Sequence, residues 1–421
     1  MNRWWVKRRR LFDAAFWALL LPVYLLLKVI PRNRRLVVYG SSLGWHFADN
    51  SKYLFLYASA HVDSVESVFI SKNIDDVRFI RDNGHRAEYL YTIKGLTKVL
   101  RAGKAFISHS GEDIHPVFLS GAEVIELWHG TPIRKVVHDC DWNLMDAAWF
   151  DRSKRWKTSL MRLIWRILPY THSQDRFDKI VIASEAVMPS FRTAFRISDD
   201  RAVVLGQPRN DCLIGDVDFD ERFFPEIEAL AKLRERAGLL VSWLPTHRSQ
   251  LSSGIVEFFG SYGYNPQDLK DVCEKHDITL VIKPHFLAKA DVERHLGGNE
   301  RFIVYEHVDP YPLLRQTDIL ITDYSSVYLD FLLLNRPILF TPFDYEDYVR
   351  HSADLYYDYA EITPGPKCRD WPSLLAELDR TAAAVTSGED DRWAEQRRSI
   401  SRRFNRYQNG FCRRVVDEFL K

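Results

Sequence analysis

The sequence is poor in cysteine and has no cysteine pattern. Cys140, Cys212, Cys273, Cys368 and Cys412 are odd in number, widely spaced and never arranged as C-x-x-C. This excludes a disulfide framework and a thiolate zinc site, and it points to a reducing compartment with inert thiols. Charge of one sign is lacking too. The 58 Lys and Arg residues stand against 57 Asp and Glu, leaving a formal net charge of +1. No global basic field is present for a nucleic acid to follow, so DNA and RNA are discounted as partners. Several nucleotide and hydrolase signatures are also missing. "YGSSLGWHF" follows the first apolar run where a dinucleotide-binding G-x-G-x-x-G would sit. No Walker A loop, H-E-x-x-H or G-x-S-x-G occurs.

Hydrophobic runs long enough for a membrane are scarce. The opening "MNRWWVKRRRLFDAAFWALLLPVYLLLKVIPRNRR" holds an apolar run from Ala14 to Leu27, interrupted by Pro22. It is shorter than the roughly 20 residues that span a bilayer, and extending it to Leu11–Ile30 takes in Asp13 and Lys28. Cations flank both sides, Lys7 to Arg10 before and Lys28, Arg32, Arg34 and Arg35 after, with Trp4, Trp5 and Trp17 nearby. A spanning helix carries its cations mainly on one side. The arrangement predicts a membrane-associating amphipathic helix over 1–34, lying peripherally in the cytoplasmic face of the cell membrane. A cleaved signal peptide is not expected, because no small-residue site follows the run.

From residue 35 onward, β-branched apolar runs alternate with helical stretches. The first set is "RLVVYGS", "SVFIS", "KAFISHS", "VIELWHG", "KIVIASE" and "AVVLGQPRND". The second is "LLVSWLPTHR", "ITLVIKPH", "RFIVYEH", "DILITDYSS" and "RPILFTPFD". Continuous apolar strands separated by helices predict parallel sheets covered on both faces. The charged stretch 214–238 divides the sets. The expected class is α/β, with two doubly wound, Rossmann-like domains over 35–220 and 221–375 and a helical, arginine-rich tail over 376–421.

Polar residues collect just past the strands, where ligands bind in open α/β sheets. His129 follows "VIELW", and Arg209, Asn210 and Asp211 follow "VVLGQP". Thr246, His247 and Arg248 follow "LLVSWLP", Lys283 and His285 follow "TLVI", and Asp323, Ser325 and Ser326 follow "DILIT". Five clusters on one edge of two sheets predict an interdomain cleft for a polar, anionic ligand. Ser325 and Ser326 open a helix running to Leu334, where serine caps and free N–H groups bind phosphate. His129 and His285 suit acid–base work near neutrality. "HSGED" (109–113) sets His109 beside Ser110, but adjacent residues rarely form a working pair, and a plain loop is expected there. His61, His85 and His276 have no companions and default to surface or core. No D-x-D-type metal motif stands out, and no cofactor is implied.

"LWHGTPIRK", "GQPRND", "LPTHR", "IKPH" and "TDYSSVYLDFLLLNRPILF", in this order, resemble the CDP-glycerol glycerophosphotransferases: the teichoic acid primases and polymerases and their capsule-synthesis relatives. "FADNSKYLF" (47–55) and "YDYAEITPGP" (357–366) are similar to segments of that family. The resemblance implies a GT-B fold and transfer of a polyol phosphate from CDP-glycerol or CDP-ribitol to a hydroxyl of a membrane-anchored, lipid-linked glycan, with release of CMP. It assigns the base to His129 and a second catalytic role to His285. Arg209, Asn210, Thr246, Arg248, Lys283, Asp323, Ser325 and Ser326 fall on the donor side. Arg134 and Lys135 fall on the acceptor or phosphate side, and no residue is assigned to a metal. Arg134 stands where relatives commonly carry lysine, and His247 where they carry tryptophan. The chain's length favours a primase-type member. Two other readings stay open at this point: a glycosyltransferase using a nucleotide sugar, and a catalytically silent, membrane-associated polysaccharide-binding scaffold.

Overall fold

The computed structural model describes residues 20–140, 176–246, 259–284, 292, 295–296, 299–351, 354–389 and 391–421. His247, Arg248 and His285 lie outside the described residues, as do 1–19 of the expected N-terminal helix.

Each apolar run named above becomes a strand. The first set, with one addition, forms β1 (Asn33–Tyr39), β2 (Glu66–Ser71), β3 (Ala87–Tyr89), β4 (Ala102–Ile107), β5 (Glu123–Glu126), β6 (Lys179–Ile182) and β7 (Ala202–Val204). The second set forms β8 (Leu239–Leu244), β9 (Ile278–Ile282), β10 (Phe302–Val304), β11 (Ile319–Thr322) and β12 (Ile338–Phe340). The addition is β3, whose sequence Ala-Glu-Tyr has no β-branched residue and gives no strand signal.

All pairings between these strands are parallel. The sheets run β3-β2-β1-β4-β5-β6-β7 and β10-β9-β8-β11-β12. Both orders reverse direction after their first strand, so each half is doubly wound, with a crevice at the carboxyl ends of β1/β4 and of β8/β11. Residues of β8, β9 and β11 are buried throughout, because helices cover both faces.

The two halves share a core. One continuous apolar cluster joins Tyr53 and Phe55 of the first half to Tyr311, Tyr328 and Phe340 of the second. A second cluster, around Trp243, Phe259 and Trp371, fills the far face of the second sheet. Eight helices matter below: α1 (Leu21–Lys28), α2 (Asp49–His61), α3 (Asn210–Ile214), α4 (Tyr311–Gln316), α5 (Val327–Phe331), α6 (Trp371–Ser387), α7 (Ala394–Phe404) and α8 (Phe411–Phe419). The expected boundary at 375/376 falls inside α6. Its start is fixed at Asp370, which forms a capping box with Ser373. The tail then returns to the first half. The Arg406 N–H donates to the Ala183 carbonyl, and the Phe411 and Cys412 N–H groups donate to Asp211.

Helix α1 packs Leu20, Leu21, Tyr24 and Leu27 against Val117 and Phe118. Its other side leaves Leu25, Leu26 and Val29 exposed, at 55%, 68% and 78%. No helix among the described residues is long and apolar enough to cross a membrane.

Candidate active site

The site is built from the turns after β1, β4 and β5 on one side and after β8 and β11 on the other. Strand order makes β1, β4 and β5 neighbours, so residues far apart in sequence emerge side by side.

Past β5 the chain turns sharply. Trp128 takes φ 54° and Gly130 φ 131°, backbone conformations that cost a tryptophan strain and suit glycine. The bend is held by Asn50 of α2, whose amide donates to the Trp128 carbonyl at 2.6 Å. Trp128 itself packs edge-on against Phe195 at 4.7 Å. The turn thereby presents His129, half-buried, at the cleft.

His129 Nδ1 lies 3.2 Å from the Ser108 carbonyl oxygen. A carbonyl only accepts, so Nδ1 carries the proton and Nε2 keeps a lone pair. Burial lowers the His129 pKa to about 3, helped by His109 and Arg209 and opposed by Asp49 and the Ser108 bond. The ring is therefore neutral throughout the physiological range.

His109, past β4, stacks on His129 with centroids 4.4 Å apart and planes 18° apart. Its Nε2 stands 3.9 Å from Asp49 and its Nδ1 3.9 Å from Asp113. Burial alone would raise the Asp49 carboxyl, but Arg209, His109 and His129 outweigh it and hold Asp49 below the ordinary range. Asp113 is raised by burial, although it accepts from the Ser108, His109 and Leu43 N–H groups. Beneath the turn, buried Glu126 accepts from the Trp128 N–H at 2.8 Å. Burial, with Asp113 and Asp49 nearby, pushes its carboxyl well up, so it stays protonated.

Arg209 ties this cluster to the second half. Its guanidinium donates to Asp49 and to Asp330 of α5, both at 2.8 Å, and stacks over Tyr311 at 4.8 Å. Asp330 also accepts from the Tyr311 hydroxyl at 2.6 Å and from Asn210 at 3.2 Å. Arg209 and Asn210 thus join the two halves, with their polar groups turned into this buried network. A methyl group at Gly130 would stand 2.8 Å from Arg209 Nη2 and 3.2 Å from Ser326 Oγ. Only glycine lets the His129 turn approach the α5 start so closely.

On the second-half side, Asp323 Oδ1 accepts from the N–H groups of Thr246 (2.8 Å) and Tyr324 (2.6 Å) and from the Thr246 hydroxyl. It locks the ends of β8 and β11 together at the crevice. Ser325 Oγ accepts from the Val327 N–H at 3.4 Å. Ser326 occupies the N-cap of α5 without using its hydroxyl to cap it. The serines open a helix, as expected, with a 3-10 turn over Leu332–Leu334 extending it. The Lys283 ammonium donates to the His307 carbonyl and lies 5.4 Å from the Tyr305 ring. Burial lowers its pKa against the pull of Asp309 and Glu226. Arg134 and Lys135 are strapped to the second half. The Arg134 guanidinium donates to the Tyr348 hydroxyl at 3.2 Å, Lys135 pairs with Asp354, and the Lys135 N–H donates to the Asp354 carbonyl. Among the described residues no group of His, Cys, Asp and Glu could hold a metal ion.

Asp49, Asp113 and Asp330 were not singled out from sequence, and His109 was read as part of a plain loop. Asp49 opens α2, which follows β1, and His109 sits in the turn after β4; the strand order 3-2-1-4-5 common to doubly wound sheets sets both beside the turn of His129.

Residues 23–421 match the family described as CDP-Glycerol:Poly(glycerophosphate) glycerophosphotransferase. The chain is 25% identical to the teichoic acid poly(glycerol phosphate) polymerase of Bacillus spizizenii over 373 residues, covering 85% of this chain and 86% of that protein. It is 24% identical to the teichoic acid glycerol-phosphate transferase of Staphylococcus aureus, over 85% and 87% of the two chains. It matches the teichoic acid glycerol-phosphate primase of B. spizizenii at 30% over 56% and 55%. It spans 45% of the Staphylococcus epidermidis poly(glycerol phosphate) polymerase. The solved wall teichoic acid polymerase TagF superposes with a TM-score of 0.70 at 21% identity, over 99% of this chain and 94% of that one, and shares the fold. With a family match running from α1 to the last residue, the chain belongs to the CDP-glycerol:poly(glycerophosphate) glycerophosphotransferase family.

Proposed function

We propose that the protein transfers glycerol phosphate, or a related polyol phosphate, from a CDP-polyol to a hydroxyl of a lipid-linked glycan at the cytoplasmic membrane face, in teichoic acid or capsule-like polymer synthesis. The observation that carries this reading is the His129 turn set against the α5 start, with Gly130 allowing contact between them. A neutral imidazole with its Nε2 lone pair free then stands on the residue before that glycine, next in the chain to the point nearest the segment that would hold the donor diphosphate.

In the proposed reaction the acceptor hydroxyl gives its proton to His129 Nε2. Its oxygen attacks the β-phosphorus in line, the bond from that phosphorus to the bridging oxygen breaks, and CMP leaves. The protein's main tasks are positioning and stabilising charge on the phosphoryl oxygens. A base held at about 3 is unprotonated but weak. The donor's negative charges, arriving beside it, raise its proton affinity when the proton must be taken. Ser325, Ser326 and Lys283 are assigned to the donor phosphates, and His285 and Arg248 by family resemblance. Asp323, Thr246, Arg209 and Asn210 hold the donor side in place from behind, and Arg134 and Lys135 border the acceptor entrance. Primase-type action and the identity of the polyol are part of the proposal. The exposed apolar side of α1, with Lys28, Arg34 and Arg35 beside it, supports peripheral attachment to an anionic leaflet.

CMP release tests the reading, using CDP-glycerol, CDP-ribitol and UDP- and GDP-sugars, with a lipid-linked disaccharide and its phosphoglycerol-primed form as acceptors. The expected result is turnover with a CDP-polyol alone. Turnover with a nucleotide sugar instead, or no turnover with any pair, would refute it.

A further inference from the structure

Three consecutive residues after β1 lie in the left-handed region: Ser42 at φ 49°, Leu43 at φ 59° and Gly44 at φ 87°. Two of them carry side chains, which that conformation strains. The third must be glycine, because a methyl group there would stand 2.7 Å from the Lys72 side chain and 3.0 Å from the Asp113 carbonyl oxygen. The surroundings hold the turn from several sides. The Leu43 N–H donates to Asp113 Oδ1 at 2.7 Å, and the Lys72 N–H donates to the Gly44 carbonyl at 2.7 Å. The Lys72 ammonium donates to the Leu43 carbonyl at 3.0 Å, and the Ser71 hydroxyl reaches the Gly44 carbonyl at 3.1 Å. What this strained turn presents is apolar. Leu43 and Trp45 are 49% and 56% exposed, at the carboxyl end of β1 beside the β1/β4 crevice of the first half.

The turn is also in register with the proposed base. Asp113 grips Leu43 with Oδ1, while its Oδ2 accepts from the Ser108 and His109 N–H groups. Ser108 in turn meets His129 Nδ1 through its carbonyl, and the His109 ring stacks on the His129 ring. One carboxylate thereby fixes the indole relative to the base. Four residues on from Trp45 stands Asp49, which faces His109, and four residues of chain reach at most about 14 Å. A disaccharide whose reacting hydroxyl lies at His129 covers such a span with its second ring. Beside the indole, the Asn73 amide donates to the Trp45 carbonyl at 3.4 Å and has a second N–H to offer a hydroxyl.

We propose that Trp45, carried with Leu43 on this turn, is a specificity-determining residue for the acceptor: its indole stacks on the apolar C–H face of a sugar ring, next to the ring whose hydroxyl meets His129. The negative face of the indole suits the polarised C–H groups of that sugar face. A lipid surface would need no fixed register with the base, and α1 presents an exposed apolar side of its own. The inference rests on the acceptor being a glycan, as proposed above.

The test compares full-length wild type with Trp45→Ala and Trp45→Phe, using a short-chain, water-soluble version of the lipid-linked disaccharide and no vesicles. The kcat/KM for that acceptor should fall about tenfold in Trp45→Ala and return most of the way in Trp45→Phe, while the KM for CDP-glycerol stays within about twofold of wild type. An unchanged acceptor kcat/KM in Trp45→Ala overturns the proposal. So does a loss seen only with the acceptor in a bilayer, or an equal loss in the KM for CDP-glycerol. Calorimetric titration of the same soluble disaccharide reads the contact without turnover. Its affinity should fall about tenfold in Trp45→Ala, and undiminished affinity, or no binding to wild type, overturns the stacking. Wild-type turnover separates the two claims. If wild type releases no CMP from any CDP-polyol, the transferase reading falls and the calorimetry decides on Trp45; if wild type turns over and Trp45→Ala matches it, the stacking alone falls.

Discussion

Around His129, the carbonyl of Ser108 fixes the tautomer and burial fixes the charge state, so the imidazole is ready to accept a proton at neutral pH. Glu126 supports the same turn from beneath as a neutral acid, and this leaves a mark on stability. Below the ordinary glutamate pKa both folded and unfolded chains hold the proton. Above it the unfolded chain ionises while the folded one does not, so the native state loses stability as pH rises from about 4.3 toward the raised folded value. Glu126→Gln keeps an oxygen for the Trp128 N–H and abolishes ionisation. Thermal melts should show a higher Tm than wild type at pH 8 and little difference at pH 4. An equal effect at both values would mean that Glu126 is ionised in the folded protein.

Among the elements, strands were far more legible than the contacts between turns. The apolar runs of β8, β9 and β11 are fully buried and announce themselves by composition, and the polar residue after each marks the ligand edge. β3 was missed because Ala-Glu-Tyr is short and carries no β-branched residue. Asp49 was missed because no local pattern marks it, and His109 was set aside as a loop residue beside Ser110; their meaning comes from β1, β4 and β5 being neighbours. Lys135 was expected on the acceptor or phosphate side, and folding supplies it with Asp354. Helix α1 was legible in outline, as an apolar run flanked by cations. Its packing on Val117 and Phe118 leaves Leu25 and Leu26 facing outward. Replacing both with Glu in the full chain should abolish most co-sedimentation with vesicles containing anionic lipid while leaving the Tm nearly unchanged. Undiminished vesicle binding would contradict attachment through α1.

At the scale of the molecule, two buried ion pairs among the described residues cross between the halves: Lys52 with Asp309 at 3.2 Å, and Arg209 with Asp330 at 2.8 Å. Removing one partner of such a pair strands the other's charge. Asp330→Ala, which also orphans Asn210 and the Tyr311 hydroxyl, should cost about 3–5 kcal/mol in urea unfolding; a loss below 1 kcal/mol would show that the bridge does not hold the halves together. The tail adds a further tie, with α7 and α8 carrying the chain from Asn335, through Arg397, back to Asp211. These links set the His129 turn against the α5 start, and the proposed chemistry depends on that placement. The most direct test follows the β-phosphorus of CDP-glycerol, radiolabelled there, into a lipid-linked acceptor. Wild type should place the label in the acceptor with unlabelled CMP released, and His129→Ala should do so at least about a hundredfold more slowly. Label retained on the nucleotide product, or a His129→Ala rate near that of wild type, would contradict the account.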